Sequence, residues 1–234
     1  MKLGLKTCAV LMLALMSTQS ALAIEADKTY KNLEKIQSRV IPNEVLDKLK
    51  AGNVRYLTGE KRQHNFRSQA KFASNKGQFP LAFILSCVDS RSIPQVIFNQ
   101  GAGSIFVGRV AGNVLSKNML ASMEYAAHVG TRLVVIMGHT QCGAMGAGCA
   151  GKGFGNINHL LAEIKPAVSQ IAQEGPLVCN DPNTVNKIAK ANVENMMSEL
   201  LKKSPYLAER ITSGQLKLMG AMHNIKSGKV DFFE

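Results

Sequence analysis

The chain has 234 residues, with 28 Lys and Arg against 16 Asp and Glu, a formal net charge of +12 and no tryptophan. An apolar content of 46% with only 19% charged residues excludes an intrinsically disordered polymer. Five cysteines are too few for a disulfide scaffold at this length, and no apolar run reaches the ~18–20 residues that cross a bilayer.

The first residues read as an export signal. MKLGLK supplies two lysines, CAVLMLALM is a short apolar core, and STQSALA ends in small residues of the A-x-A type. Cleavage is expected after Ala23, leaving residues 24–234 as one exported domain without stable membrane insertion, most simply in the periplasm. Removing Lys2 and Lys6 takes the charge from +12 to +10. The remaining cations are scattered, with short clusters such as KRQHNFR and few aromatics between them, so a solvated basic surface is expected and no nucleic-acid partner.

PNEVLDKLKAGNVRYL, residues 42–57, carries apolar residues at helical spacing. Residues 59–78 are polar and read as irregular or partly helical. FPLAFILS, SIFVGRV and RLVVIMG then form apolar, strand-like runs, separated by IPQVIFNQ and by NMLASMEYAAHV, which has helical spacing. Continuous apolar strands alternating with helices predict an α/β fold, a mostly parallel sheet covered on both faces. Beyond residue 155, INHLLAEIKPAVSQIAQEG, NTVNKIAKANVENMMSELLKKS and PYLAERITSG read as helices. QLKLMGAMHN and KVDFFE follow as late strands joined by the turn-like IKSG.

Chemistry concentrates after two strands. The first delivers Cys87-Val88-Asp89-Ser90-Arg91 and the third His139-Thr140-Gln141-Cys142, both at the carboxyl edge where parallel sheets collect ligands. Cys87, His139 and Cys142 are a zinc set of three, and three protein ligands leave a fourth tetrahedral position open. Asp89 is near enough to fill that position, and Arg91 is near enough to pull it away. His64, His128, His159 and His223 lie on other segments and are poor candidates for a fourth ligand. Cys149 and Cys179 read as a disulfide or as two buried thiols, burial being the favoured reading. GAGCAGK, residues 146–152, matches the start of a phosphate-binding loop, but Gly153 follows where Ser or Thr is needed, so nucleotide binding is not expected.

SCVDSR, FVGRVAGN and EYAAHVGTRLVVIMGHTQCGA together resemble the β-class carbonic anhydrases, closely from Gln78 to Cys149 and more loosely to the terminal strands. The resemblance implies one Zn2+ per chain on Cys87, His139 and Cys142, with Asp89 and Arg91 as the family's catalytic pair. Asp89 then serves as a ligand that Arg91 releases. Gln78 resembles the substrate-orienting glutamine, and the N–H of Gly143 a second substrate contact. The implied reaction is reversible hydration of carbon dioxide to bicarbonate by a hydroxide generated on zinc, in a homodimer or homotetramer with sites near the interface. Two alternatives remain at this level: hydrolysis of carbonyl sulfide or carbon disulfide on the same scaffold, and a non-catalytic structural-zinc or regulatory protein with Asp89 as permanent ligand. Some bacterial members hold a second, inhibitory bicarbonate on Trp, Arg and Tyr. By resemblance Ile84, Arg109 and His223 stand at those places, so two of the three residues differ.

Overall fold

A computed structural model describes residues 32–234; the export segment expected over residues 1–23 lies outside the described residues. Helix α1 (Leu33–Gln37) leads into α2 (Pro42–Thr58), which opens on a proline at its first turn and stops at Gly59 in the left-handed region, φ 79°. The polar stretch that follows contains α3 (Phe66–Lys76), capped by the Asn65 side chain accepting from Ser68 N–H.

Five strands form one sheet: β1 (Ala82–Ser86), β2 (Ile105–Arg109), β3 (Leu133–His139), β4 (Lys217–His223) and β5 (Val230–Phe233). Their spatial order is β2-β1-β3-β4-β5, parallel throughout except for β5, which returns antiparallel to β4 across the expected IKSG turn. Between them run α4 (Pro94–Ile97), a 3-10 turn (Ala111–Asn113), α5 (Lys117–His128), α6 (Gly143–Ala150), α7 (Ile157–Ala172), α8 (Pro182–Lys203) and α9 (Pro205–Thr212).

The alternation along each strand sorts side chains into two cores. Ala82, Ile84, Leu133 and Val135 face one side, against Val45, Leu46 and Leu49 of α2 and Ile97 of α4. Phe83, Leu85, Val134 and Ile136 face the other, against α5, α7, α8 and α9. β1 and β3 are buried along their whole lengths, so both residue parities must be apolar, which is why their sequences read as unbroken hydrophobic runs. Each such side chain taken from water contributes about 1.5–3 kcal/mol.

The strand order positions the site. β1 and β3 are neighbours, with Ser86 level with Met137, yet the chain leaves them on opposite faces. After β1 it passes to α4 on the α2 side, and after β3 to α6 and α7 on the other. This is a topological switch point, where the divergent connections open a crevice beyond the carboxyl ends of the strands.

Candidate metal centre

Cys87 follows β1 and His139 ends β3, so the switch point brings them together, and Cys142 caps the N-terminus of α6 three residues later. The turn between His139 and Cys142 is held open by Gln141 in the left-handed region, φ 55°, with its N–H bonded to Asn186 Oδ1 of α8 at 2.8 Å. One ligand atom from each of Cys87, His139 and Cys142 lies within 4.8 Å of the others, and all three residues are buried.

Each is aimed by a neighbour. His139 Nδ1 stands 2.9 Å from the Thr140 carbonyl and donates to it. That fixes the tautomer and leaves the Nε2 lone pair buried with no protein partner. Cys87 Sγ accepts from Gly112 N–H at 3.4 Å. Gly112 sits at φ 66°, and a side chain there would strike Ile164 at 2.9 Å.

The two thiol sulfurs lie within 4.8 Å of each other and bias each other's protonation in opposite directions. The bond from Cys142 lowers Cys87 to about 4 against the cost of burial, helped by His139 and by the Gly112 N–H. Cys142 is pushed up, first by the same bond and then by burial. His139 is raised: burial opposes the charged ring, but the Cys87 sulfur, the Thr140 carbonyl and Asp89 favour it. Two soft sulfurs and an aimed imidazole lone pair, buried and convergent, fit zinc.

Asp89 projects beside this cluster without joining it. Arg91 Nε donates to Asp89 Oδ1 at 3.0 Å and Arg91 Nη2 to Oδ2 at 2.8 Å, while Arg91 N–H adds a third bond to Oδ1 at 2.9 Å. Asp89 Oδ2 lies 4.0 Å from His139 Nε2. The Arg91 side chain, opposed by partial burial, holds the carboxyl well below the usual carboxylate range.

Two residues outside the predicted metal and catalytic set support the loop. Arg109 of β2 donates to the carbonyls of Cys87 and Asp89, at 3.0 and 2.7 Å. His223 of β4 meets Ser92 Oγ at 3.1 Å, and burial followed by the charge of His139 takes its pKa down to about 4. With Arg109 committed to the loop, His223 to Ser92, and Ile84 fully buried, these three side chains are occupied elsewhere than in an anion pocket. His223 is the last residue of β4, and nothing in its local pattern marks it as a support of the loop after β1.

Gly143 is the first residue of α6, is exposed, and has nothing within 4 Å of where a Cβ would stand. Gln78 is not brought to the cluster. It precedes β1 while Cys87 follows it, and the strand alone separates its ends by about 13 Å, farther than a glutamine side chain spans.

The reading of Cys149 and Cys179 as buried thiols is corrected. They form a disulfide with Cα atoms 5.5 Å apart, tying α6 to the segment between α7 and α8. The glycine-rich stretch from residue 146, which matches only the start of a phosphate-binding loop, forms the C-terminal half of α6, and its Cys149 bonds to Cys179 of that segment.

A carbonic anhydrase family model matches residues 82–230. The chain is 31% identical over 187 residues to carbonic anhydrase 2 of Mycobacterium tuberculosis, covering 77% of this chain and 87% of that one. Among solved structures it is similar to one of two tetrameric β-carbonic anhydrases from Sordaria macrospora, with a TM-score of 0.61 and 26% identity over 71% of this chain and 92% of that one. A Coccomyxa β-carbonic anhydrase in complex with acetazolamide also aligns with a TM-score of 0.61 and 26% identity, over 70% and 81% of the two chains.

Proposed function

This chain belongs to the β-class carbonic anhydrases, zinc enzymes that reversibly hydrate carbon dioxide to bicarbonate and a proton, and on that premise we propose a division of labour among its residues. The observation that carries it is the convergence of Cys87, His139 and Cys142 ligand atoms within 4.8 Å, with His139 Nε2 buried and unpartnered. These three residues hold the metal. Bound there, zinc acts as a Lewis acid that brings the pKa of a water toward 7.

The chain's own residues do the rest. Asp89, kept ionised and turned aside by Arg91, accepts the O–H of the attacking water and aims its lone pair at carbon dioxide. Arg91 keeps Asp89 off the fourth metal position, which a permanent structural ligand would fill. Gly143, exposed at the start of α6 beside Cys142, offers its N–H to a product oxygen. The proton leaves to solvent, and bicarbonate departs as the next water enters.

Gln78 serves as the substrate-orienting glutamine only across a subunit boundary, since β1 carries it away from its own site. The protein is therefore at least a homodimer in which Gln78 of the partner subunit completes the site. Exposed apolar residues beside the loop, Val88, Ile93 and Val96 at 54%, 39% and 45% exposure, supply a surface for that contact. A tetramer of the kind named for the Sordaria protein is compatible with it.

The chain works as one domain over residues 24–234, exported after cleavage at Ala23 and most simply periplasmic. No described helix is long and apolar enough to cross a membrane. The Cys149–Cys179 disulfide supports an oxidising compartment.

Metal analysis with stopped-flow hydration tests this reading. The wild type is expected to carry one zinc per chain, with a rate that rises into alkaline pH because two thiolate ligands leave the metal-held water less acidic. Cys142→Ser should lose zinc and rate together. Asp89→Ala should keep zinc and lose rate. Full hydration by both variants overturns the assignment, and a monomer in solution with full activity overturns the role of Gln78.

A further inference from the structure

A cavity with a mixed apolar and cationic lining, including Leu33, Ile36 and Leu81, lies at the opposite edge of the sheet. It has a volume of about 180 Å3 and runs between α1, α2 and the residues entering β1 and β2. Three permanent cations line it, Lys48 and Arg55 of α2 and Arg62 of the following loop, and no Asp or Glu lines it. None of the three pairs with an acid among the described residues.

The walls are built rather than incidental. Asn99, nearly buried and held in the left-handed region at φ 46°, accepts on Oδ1 from both Arg55 Nε at 3.1 Å and Arg62 N–H at 2.9 Å. Its Nδ2 donates to the Arg62 carbonyl at 2.9 Å. One amide thus holds the Arg55 side chain and the loop that carries Arg62. His64 is fixed at both ring nitrogens, 3.1 Å from the Asn99 carbonyl and 3.2 Å from Gln69 Nε2. Gln69 is itself 2% exposed and anchored to Ala102 N–H. A ring that donates on one side and accepts on the other is neutral, so the charge belongs to the arginines and the lysine. Arg55 is lowered by burial and by the charge of Arg62. The Arg62 charge thus bears on a half-buried Arg55 guanidinium, and among the described residues no acid pairs with either.

Such an arrangement is costly alone and favourable around a multiply charged oxyanion, whose oxygens match planar guanidinium donors. We propose that this cavity is an anion site, separate from the metal centre, that binds a small free oxyanion of the phosphate or sulfate class between Arg55 and Arg62, with Lys48 contributing a further positive charge.

The test uses the zinc-loaded full chain and inorganic phosphate at constant ionic strength, followed by calorimetric titration and by thermal shift against chloride. Saturable binding is expected. Arg62→Gln, at an exposed position, and Arg55→Gln should each weaken it by about tenfold or more, as loss of a charged donor implies. Zinc content and hydration in phosphate-free buffer should stay unchanged in both. Binding that survives both substitutions belongs to the metal centre and overturns the proposal, as does non-saturable stabilisation, which marks a general salt effect. Tighter binding of glycerol phosphate than of inorganic phosphate overturns the assignment to a small free ion. Phosphate binding seen only after deletion of residues 24–31 would assign the cavity to the chain's own Glu25 and Asp27 and overturn it too. None of these outcomes depends on the hydration reaction.

Discussion

Arg91 grips Asp89 through both carboxylate oxygens while Asp89 Oδ2 stays 4.0 Å from His139 Nε2. The carboxylate is thus beside the metal ligands and restrained from joining them. Replacing Arg91 by Ala frees Asp89 to close the fourth position. Zinc content should hold near one per chain while hydration falls about 10- to 100-fold, the usual consequence of removing a group that orients a metal site. Hydration at the wild-type rate in Arg91→Ala, with zinc still bound, would show that the pair has no gating role.

Ser92 ties the same loop to β4 through His223 Nδ1 at 3.1 Å, in a fully buried pair. Ser92→Ala leaves a buried imidazole nitrogen without that partner. Chemical denaturation of the zinc-loaded protein should register a loss of about 1–3 kcal/mol, with a smaller fall in hydration as the Asp89 loop loosens. Equal stability of the two proteins would remove His223 from the support of the loop.

The disulfide closes a loop whose ends are 30 residues apart. Chain-entropy reasoning gives it about 3–4 kcal/mol. A Cys149→Ser, Cys179→Ser double variant should therefore unfold at distinctly lower denaturant concentration while keeping its zinc. Addition of reductant should bring the wild type toward the variant and leave the variant where it was.

His64 gives the pH term that is cleanest to isolate, because it lies at the sheet edge away from the metal. Burial lowers its pKa first, the Asn99 carbonyl opposes this, and the charges of Arg62 and Arg55 lower it further. The unfolded chain then binds the proton more readily than the folded one. His64's contribution is complete above about pH 6.5, the unperturbed value, and is lost as pH falls below it toward the lower folded pKa. Between pH 7.5 and 5, His64→Gln should lose stability less steeply than the wild type. Metal-ligand protonation acts on both proteins alike, so parallel curves would exclude the His64 effect.

The strands were readable because β1 and β3 are buried on both faces, so their sequences have no polar interruption to mislead. The metal cluster was readable for a related reason. Cys87 and the pair His139 and Cys142 each follow such a run directly, and neighbouring parallel strands end at one edge. Helix α6 was not readable: GAMGAGCA has weak helix propensity, and tertiary packing and the bond to Cys179 hold it. For the same reason the Cys149–Cys179 partnership escaped a reading along the chain, since residues 30 apart meet only once α7 has folded back. Gln78 could be matched by its place two residues before Pro80, but that place says nothing of direction, and β1 sets it at the end of the strand opposite to Cys87. The Arg55 and Arg62 cavity had no local signature, because Asn99 assembles it from distant segments.

The four described cysteines permit three ways of forming two disulfides, and only one of the three contains Cys149–Cys179. Both of the others take Cys87 and Cys142 each with a partner from that pair, and so abolish the ligand set. Even within the native pairing, the free thiols of Cys87 and Cys142 lie within 4.8 Å of each other, so they depend on a metal arriving before an oxidant does. In the oxidising compartment proposed above, maturation becomes a kinetic contest. The bond at the end of α6 decides which sulfurs are left to compete, and the yield of active enzyme should follow the ratio of zinc to oxidant during folding, not the final stability of the fold.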